Sequence, residues 1–366
     1  MTTRFASTAG TRVGGLLLLL ATCAAAGADP ATAPTSQPAE LTWVNVTHNV
    51  GGDKWGYAGV TMVACVPGAD EVIAGVSEAG LWSSTDGGDT WSPMGDQGDA
   101  KNKITNRPSR VIFDPKDPKV FWTSGCYGPG VFKTADGGKS FQRLGDVSHV
   151  DGLAIDFGDP QRQTMVVGLH EQARSLMKST DGGKTWQNIG KNLPDNTNHS
   201  AEPILIDART YVTNTAGWLK DHTFGIYRTA DGGSMWEKVS DLGAAGRPLV
   251  AADGAIYWVY LWGGGIIKST DQGKTWQKLT GPVKAVPIEL PGGRLAAAVA
   301  KVLYTSADGG KQWHPCGPAM PFAPATIAFC DKRNCFYASR MSDKKTDQAV
   351  IRLDLPKDAA AFWGQP

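Results

Sequence analysis

The chain lacks both a strong charge of one sign and a hydrophobic run long enough to cross a membrane. Its 366 residues carry a net charge of +1 at pH 7, and acidic and basic residues are interspersed. A nucleic-acid-binding protein or a membrane-surface protein would need clustered lysine and arginine. The apolar run at residues 13–20 is too short for a transmembrane helix. We therefore expect neither a nucleic-acid partner nor a transmembrane segment.

Cysteine is also scarce, and its spacing excludes a zinc-finger type of module. The six cysteines include no C-x-x-C pair and no cysteine–histidine pair at zinc-ligand spacing. Cys330 and Cys335 flank a short turn, and an oxidising compartment would favour a disulfide between them. We predict that disulfide, which leaves Cys65, Cys126 and Cys316 without an assigned partner.

The N-terminus has the pattern of an export signal. A positively charged start precedes the apolar run, and small residues at positions 26 and 28 fit a cleavage site. We predict a signal peptide at residues 1–28 and a Pro/Ala/Thr-rich linker at 29–40, which implies a secreted or periplasmic protein. In an alternative interpretation, Cys23 is lipidated and the protein is an outer-membrane lipoprotein.

What the chain has in excess is one short motif, [ST]-x-D-x-G-x-x-[WF], which occurs in six copies. In such a turn, aspartate and hydroxyl oxygens accept backbone N–H groups, glycines adopt left-handed angles, and the aromatic residue starts the next strand. A turn repeated in this way has a structural role, so we predict that its aspartates are not catalytic. They are Asp86, Asp136, Asp181, Asp231, Asp271 and Asp308.

The segments between the motifs repeat a pattern of four short strands, for example the strand predicted at residues 248–251 that opens the fifth unit. Repeats at this spacing are typical of propeller blades. In a seventh unit without the motif, residues 326–355 supply three strands and residues 41–46 supply the fourth, which closes the ring and removes exposed sheet edges. We predict an all-β, seven-bladed β-propeller at residues 41–357 and a C-terminal tail at 358–366. Six or eight blades are the alternatives.

Through the six motifs and their period, nearly all of residues 41–355 resembles the Asp-box (BNR-repeat) propellers. That superfamily includes sialidases, xyloglucan-hydrolysing glucanases, sortilin-type receptors and a photosystem II assembly factor, so the resemblance implies activity on a glycan or a scaffold role. The Arg-Ile-Pro motif of the sialidases and the Cys-rich modules of the receptors are absent from this sequence. The glucanases place their cleft between two propellers, whereas this chain has residues for one. Its single-domain form is most similar to the assembly-factor branch.

The resemblance implies that the motif turns lie on one face of the ring and that ligand sites lie on the other. On that second face we place the loops between second and third strands and the connections between blades, which vary in length and hold most of the histidines. The predicted catalytic residues are His170, Glu171, Asp221, His222, His149 and Asp151. The predicted substrate-binding residues are His199, Glu202, Trp218, Tyr260, Trp262, Arg174 and Tyr127.

Three interpretations of these side chains remain open. Histidine and carboxylate groups can act as general acid and base on a sugar, with aromatic residues as stacking platforms. Alternatively, histidines supported by adjacent acids bind a divalent metal, or the side chains are polar loop residues without a catalytic role. Our leading hypothesis is an exported glycoside hydrolase or polysaccharide lyase. The alternative is a non-catalytic propeller that binds a glycan or a protein.

A basic cluster lies between the first two units, at Lys101, Lys103, Arg107 and Arg110. We interpret it as a solvated surface, with an acidic sugar or a carboxylate of a partner as alternative ligands. It is therefore left out of the predicted site.

Overall fold

The computed structural model describes residues 40–53, 55–195, 197, 202–215, 224–261, 264–357 and 362–363. The predicted signal peptide at 1–28, Cys23 and all of the predicted linker except Glu40 lie outside these residues. Within the part of the chain that is described, no helix is long and apolar enough to cross a bilayer.

Seven antiparallel sheets of four strands each form across the described residues, and each sheet is one blade. Blade one comprises β2 (Val60–Cys65), β3 (Val72–Val76), β4 (Gly80–Ser84) and β5 (Ser92–Pro93). Blade two comprises β6 (Arg107–Phe113), β7 (Phe121–Cys126), β8 (Val131–Thr134) and β9 (Gln142–Arg143). Blade three comprises β10 (Val150–Ile155), β11 (Met165–Leu169), β12 (Leu176–Ser179) and β13 (Gln187–Asn188).

The other four blades repeat this order. Blade four comprises β14 (Pro203–Leu205), β15 (Tyr211–Thr215), β16 (Gly225–Thr229) and β17 (Glu237–Ser240). Blade five comprises β18 (Ala244–Val250), β19 (Ile256–Tyr260), β20 (Ile266–Ser269) and β21 (Gln277–Lys278). Blade six comprises β22 (Ile288–Glu289), β23 (Leu295–Val299), β24 (Val302–Ser306) and β25 (His314–Cys316). Blade seven comprises β26 (Thr326–Cys330), β27 (Cys335–Ser339), β28 (Val350–Asp354) and β1 (Val44–Asn45).

The first strand of each blade lies innermost in the ring. Strand β2 packs against β6 and β26, and β10 packs against β6 and β14, so first strands of neighbouring blades contact one another. Among the described residues, short 3-10 turns at Gly190–Asn192 and Pro291–Gly293 interrupt the strand pattern. The all-β, seven-bladed propeller predicted from the repeats is confirmed.

The motif turns are held by their own side chains. The Ser84 hydroxyl donates to Asp86 Oδ1 at 2.7 Å and accepts the Gly88 N–H at 2.7 Å. Asp86 also accepts the Thr90 N–H at 2.9 Å and the Thr90 hydroxyl at 2.5 Å. These bonds, from Thr90 first and then Ser84, hold the pKa of Asp86 well below its usual range. The same hydroxyl–carboxylate contact recurs at Asp136, Asp181, Asp231, Asp271 and Asp308.

Three of the motif tryptophans, Trp91, Trp186 and Trp236, link neighbouring blades through their indole N–H groups. The indole N–H of Trp91 donates to the carbonyl of Val46 at 2.9 Å, and the indole N–H of Trp236 donates to that of Ile189 at 3.1 Å. Both carbonyls follow the outermost strand of the preceding blade. Since Trp91 is only 2% exposed, its ring also fills space between blades, which a buried aromatic side chain does at a large gain in apolar contact.

The N-terminal strand closes the ring. Strand β1 pairs with β28, with Val44 opposite Arg352 and Asn45 opposite Ile351. The buried Thr47 hydroxyl then accepts the N–H groups of residues 349 and 350, at 2.9 and 3.0 Å. The predicted mixed closing blade is therefore present, and it pairs the edge that β28 would otherwise expose.

A disulfide joins the first and last blades, and here the sequence-based prediction is wrong. Cys330 is bonded to Cys65, with a Cα–Cα distance of 5.2 Å, and Cys335 is a buried free thiol. Cys330 and Cys335 are cross-strand partners in β26 and β27, but the Cys330 sulfur lies toward the innermost strand of blade one. The bond therefore cross-links the ring at its closure instead of a hairpin.

The described residues of the predicted C-terminal tail pack on the ring. Phe362 is 7% exposed, and its ring centroid lies 6.2 Å from that of Phe336. The carbonyl of Trp363 accepts the Thr305 hydroxyl at 3.4 Å. Part of the tail at 358–366 thus covers blades six and seven.

Replacing Cys65 by serine is expected to destabilise the closed ring. Loss of a native disulfide typically costs about 2–5 kcal/mol of unfolding free energy, and thermal denaturation measures this loss. Cys335→Ser is the matched control, because it removes a buried thiol and keeps the cross-link. Non-reducing peptide mapping after tryptic cleavage at Lys332 and Arg333 separates Cys330 from Cys335. A mapped Cys330–Cys335 link would contradict the observed pairing.

Candidate functional site

The candidate site lies at the strand ends opposite the Asp-box turns. Because adjacent strands are antiparallel, the loops between second and third strands and the connections between blades share that end. Five side chains from blades two and three meet there, and we call them the relay cluster. They are Cys126, Tyr127, His149, Asp151 and His170.

Asp151 reaches this cluster because it sits on a β-bulge. The register of β10 against β11 shifts between Val150 and Gly152, so Asp151 has no partner in the ladder. An unpaired bulge residue can direct its side chain differently from its neighbours, and bulges are common beside active sites. Similar register shifts occur in the innermost strands of blades one, two and five, at the same end of the ring.

His170 connects a carboxylate to a phenol. Its Nδ1 lies 2.9 Å from Asp151 Oδ2, and its Nε2 lies 3.2 Å from the Tyr127 hydroxyl. Because an ionised carboxylate can only accept, Nδ1 donates, and the neutral ring then accepts the tyrosine proton at Nε2. The His170 and Asp151 side chains are each 16% exposed, so this chain of hydrogen bonds is accessible from the surface.

The backbone around His170 is held in an uncommon conformation. The His170 N–H donates to the carbonyl of His149 at 2.6 Å, and the His149 N–H donates to that of Gly128 at 3.0 Å. Tyr127, His149 and Glu171 all have left-handed φ angles, of 57°, 53° and 51°. Non-glycine residues adopt this region at a cost, and such residues cluster at functional sites.

Cys126 is a buried member of the relay cluster. Its thiol lies 2.9 Å from Asp151 Oδ1 and donates to it, and its sulfur is 3.6 Å from the carbonyl of Val150. Burial, and then the charge of Asp151, raise the pKa of the Cys126 thiol to about 12. The group is therefore a thiol, and it helps to hold the carboxylate in place.

An aromatic wall with an arginine stands beside the cluster. The Arg107 guanidinium lies 5.6 Å from the ring centroid of Tyr57 and 4.6 Å from that of Tyr127. Tyr57 is 65% exposed and Tyr127 is 49% exposed, so their rings are available to a ligand. Tyr127 also meets the rings of His149 and His170 edge to face, at 6.1 and 5.2 Å. Exposed tyrosine rings of this kind can stack on a sugar.

A buried ion pair crosses from blade two to blade four. Arg110 Nη2 lies 3.2 Å from Glu202 Oε2, and Arg110 Nη1 donates to the carbonyl of Leu153 at 2.8 Å. Burial raises the pKa of Glu202 to about 7, although Arg110 and Arg247 both oppose the shift. Burial, followed by repulsion from Arg110, lowers the pKa of Arg247 to about 10. Arg110 and Arg247 thus both interact with Glu202, a carboxyl group with a raised pKa.

The structure brings only part of the predicted site together. His149, Asp151, His170 and Tyr127 meet in the relay cluster. The Glu171 side chain is 58% exposed, with Oε1 3.7 Å from His170 Nε2. Elsewhere, Arg174 pairs with Asp195, Tyr260 lies under Lys278 at 4.6 Å, and Glu202 is in the buried ion pair. The remaining predicted residues lie outside the described residues: His199, Trp218, Asp221, His222 and Trp262.

Sequence reasoning missed Cys126, Arg107, Arg110 and Arg247 as neighbours of this site. The interpretation of Arg110 as part of a solvated patch is wrong, because its side chain is only 11% exposed and is paired with Glu202. A signal was present in the sequence: Arg110 and Arg247 occupy innermost strands, which neighbouring blades bury. A charged residue in a buried strand needs a partner and so indicates a polar site.

The motif turns match a family model. The model described as BNR/Asp-box repeat matches residues 177–188 and 267–278. These two segments contain the third and fifth copies of the motif. In both segments the structure shows the hydroxyl–carboxylate contact of the motif, at Asp181 and at Asp271.

Curated relatives share the repeats at low identity. A Paenibacillus xyloglucanase is 24% identical over 321 residues, which cover 75% of this chain and 28% of that protein. A probable oligoxyloglucan-reducing end-specific xyloglucanase of Neosartorya fischeri is 27% identical over 217 residues, covering 56% of this chain and 25% of that protein. The chain thus spans about a quarter of the length of these relatives.

Solved structures match the same fold. A structure of YCF48 bound to a D1 peptide has a TM-score of 0.55 at 16% identity, covering 88% of this chain and 98% of that one. The GH74 xyloglucanase from Xanthomonas campestris has a TM-score of 0.51 at 18% identity, covering 85% of this chain and 55% of that one. At these identities the likeness concerns the fold alone.

Replacing Glu202 by glutamine should change how stability depends on pH. The pKa of Glu202 in the native state is about 7, whereas the ordinary pKa of a glutamate is 4.5. Between these values the native state keeps a proton that the unfolded state has lost, so stability falls as pH rises through this window. The melting temperature of the wild type should therefore fall relative to Glu202→Gln between pH 4.5 and about 7.

The matched control is Glu237→Gln, because Glu237 is exposed on the outermost strand of blade four. It should keep the wild-type dependence on pH in the same thermal denaturation series. A Glu202→Gln curve parallel to that of the wild type would contradict the burial effect.

Proposed function

This chain is a seven-bladed Asp-box propeller, and we propose that it binds a glycan on the face opposite its Asp boxes and cleaves a glycosidic bond there. The observation that carries the proposal is the chain of hydrogen bonds from Asp151 through His170 to Tyr127. It ends at the exposed rings of Tyr127 and Tyr57, where a sugar could stack.

The relay cluster has the parts that proton transfer needs. Asp151 orients the His170 ring and stabilises its protonated form, as a carboxylate does in other acid–base relays. His170 can therefore take a proton from Tyr127, or from a water in its place, and return it later. Tyr127 is the outermost member of this relay and is the group that would touch the substrate.

Glu202 supplies a second titratable group beneath the cluster. Its pKa of about 7 keeps part of its population protonated near neutral pH. Asp151, by contrast, accepts hydrogen bonds from the Cys126 thiol and from His170 Nδ1. A carboxyl group with a raised pKa suits the role of the acid in glycoside hydrolysis.

Elimination is the second form that the cleavage could take. Tyr127 and His170 suit removal of a proton from carbon, and Arg107 lies 4.6 Å from the Tyr127 ring centroid, where it could neutralise a developing charge. Hydrolysis adds water to the products, whereas elimination leaves an unsaturated sugar. Mass analysis of the products therefore distinguishes a hydrolase from a lyase.

The distant relatives support a carbohydrate ligand. Both curated relatives described above are named as xyloglucanases, and the present chain corresponds to a fraction of each. Export through the predicted signal peptide, which would expose the site to polysaccharides, stays a prediction.

A non-catalytic propeller is the alternative. The polar atoms of Cys126, Asp151 and His170 bond to one another and thereby satisfy their own hydrogen-bonding needs. A surface with Tyr57, Arg107 and Tyr127 can bind a glycan or a peptide without chemistry. In that case the protein retains binding but shows no turnover.

We expect the purified protein to cleave at least one polysaccharide in a screen of plant, algal and host glycans. On that substrate, His170→Ala and Tyr127→Phe should each lower kcat by about 10²–10⁴-fold, the usual contribution of a positioned acid or base. The loss should fall mainly on kcat, since Tyr127→Phe keeps the stacking ring. Steady-state kinetics on the released sugar ends provides the measurement.

His314→Ala is the matched control, because His314 is an exposed histidine on the outermost strand of blade six. It should leave kcat and KM unchanged. Wild-type kcat in a folded His170→Ala variant would refute the relay. Glycan binding without turnover on any glycan would favour the non-catalytic alternative.

A further inference from the structure

We propose that Cys126, Asp151 and His170 form a binding site for a zinc-like divalent metal ion. The thiol sulfur, a carboxylate oxygen and an imidazole nitrogen all lie within 4.8 Å of one another. The proposal concerns the same cluster as the proposed function but does not depend on it, because metal binding requires no glycan and no turnover.

The three groups come from separate, ordered parts of the ring. Cys126 is the last residue of β7, Asp151 is the bulge residue of β10, and His170 follows the last residue of β11. Ligands fixed by two blades need little ordering when an ion enters, which favours binding. Their separation in sequence also explains why no zinc motif is visible there.

The distances fit a metal after a small adjustment. Cys126 Sγ and His170 Nδ1 are each 2.9 Å from an oxygen of Asp151. Metal–ligand bonds of about 2.0–2.3 Å in a tetrahedron place ligand atoms about 3.3–3.7 Å apart. Each of these two pairs therefore needs to separate by less than about 1 Å, and the third pair, Cys126 Sγ and His170 Nδ1, lies within 4.8 Å.

In the hydrogen-bonded cluster, protons lie between the atoms that would bind the metal. The Cys126 thiol and the His170 Nδ1–H are both directed at Asp151. On binding, the thiol loses its proton to solvent, and the Nδ1 proton is lost while Nε2 takes one up, so that one proton is released in total. Nε2–H then donates to the Tyr127 oxygen, which would hold the ring as an outer partner.

The charge balance favours one divalent ion. The protonated cluster carries one negative charge, on Asp151. With the thiolate formed and the ion bound, the sum is zero. This small change in charge limits the repulsion between the metal ion and two nearby cations. They are Arg107 and Arg247, whose charges interact with Cys126. Sulfur and nitrogen ligands select zinc or cobalt over calcium or magnesium, which prefer oxygen.

A bound metal and the protonated relay exclude each other. Both use the Asp151 carboxylate and His170 Nδ1. Three protein ligands leave a fourth position, as in catalytic rather than structural zinc sites. Since the Asp151 and His170 side chains are each 16% exposed, that position can take water.

The test is direct metal binding to the full chain. Protein stripped with a chelator is titrated with Zn²⁺ by calorimetry and with Co²⁺ by absorption spectroscopy. We expect one ion per chain, release of about one proton per Zn²⁺ and a thiolate-to-cobalt charge-transfer band. Cys126→Ser, Asp151→Asn and His170→Ala should each weaken Zn²⁺ binding by about 10²-fold or more, since loss of outer-shell partners alone costs about 10–100-fold.

His314→Ala and Cys316→Ser are the matched controls, because both residues lie on the outermost strand of blade six, away from the cluster. They should bind the metal as the wild type does, and circular dichroism verifies that every variant is folded. The proposal is overturned if Cys126→Ser binds Zn²⁺ as tightly as the wild type, or if the wild type shows no saturable binding. Either result leaves the proposed glycan cleavage to be judged by its own kinetics.

Discussion

The closure of the ring by β1 determines how the seven blades pack against one another. A propeller blade buries its faces against two neighbours, and an open ring would leave one blade without a partner and one sheet edge exposed. Pairing of β1 with β28, the buried Thr47 hydroxyl and the Cys65–Cys330 bond all act at this one junction. The indole N–H groups of Trp91 and Trp236 add hydrogen bonds between neighbouring blades.

A closed ring forces the innermost strands together, and the candidate site follows from that. Strand β10 is held between β6 and β14, so a charged residue on any of them must find a partner across a blade. Arg110 does so with Glu202, two blades away. The bulge in β10 places Asp151 at the same end, against Cys126 and His170. Rigid strands thus position the polar groups that a mobile loop would hold less well.

The sequence predicts the repeating parts of this molecule well and the contacts between repeats poorly. Strand positions and the closing blade follow from a local turn motif and the period of apolar residues, which are properties of short segments. Strand β18 begins at Ala244 instead of the predicted 248, because Ala244 and Ala245 also pair with β19, on the far side of a register shift. The partner of Cys330 and the burial of Arg110 depend on which blades become neighbours. Local spacing therefore predicted the wrong partner for Cys330 and a solvated environment for Arg110.

We propose that the face opposite the Asp boxes is the functional face and that the relay cluster is its site. The most direct measurement is a crystal structure of the His170→Ala variant with a glycan that the protein binds. We predict a sugar ring stacked on Tyr57 or Tyr127, with its glycosidic oxygen near the Tyr127 hydroxyl. A glycan bound only on the Asp-box face, remote from Asp151, would show that the opposite face is not the binding face.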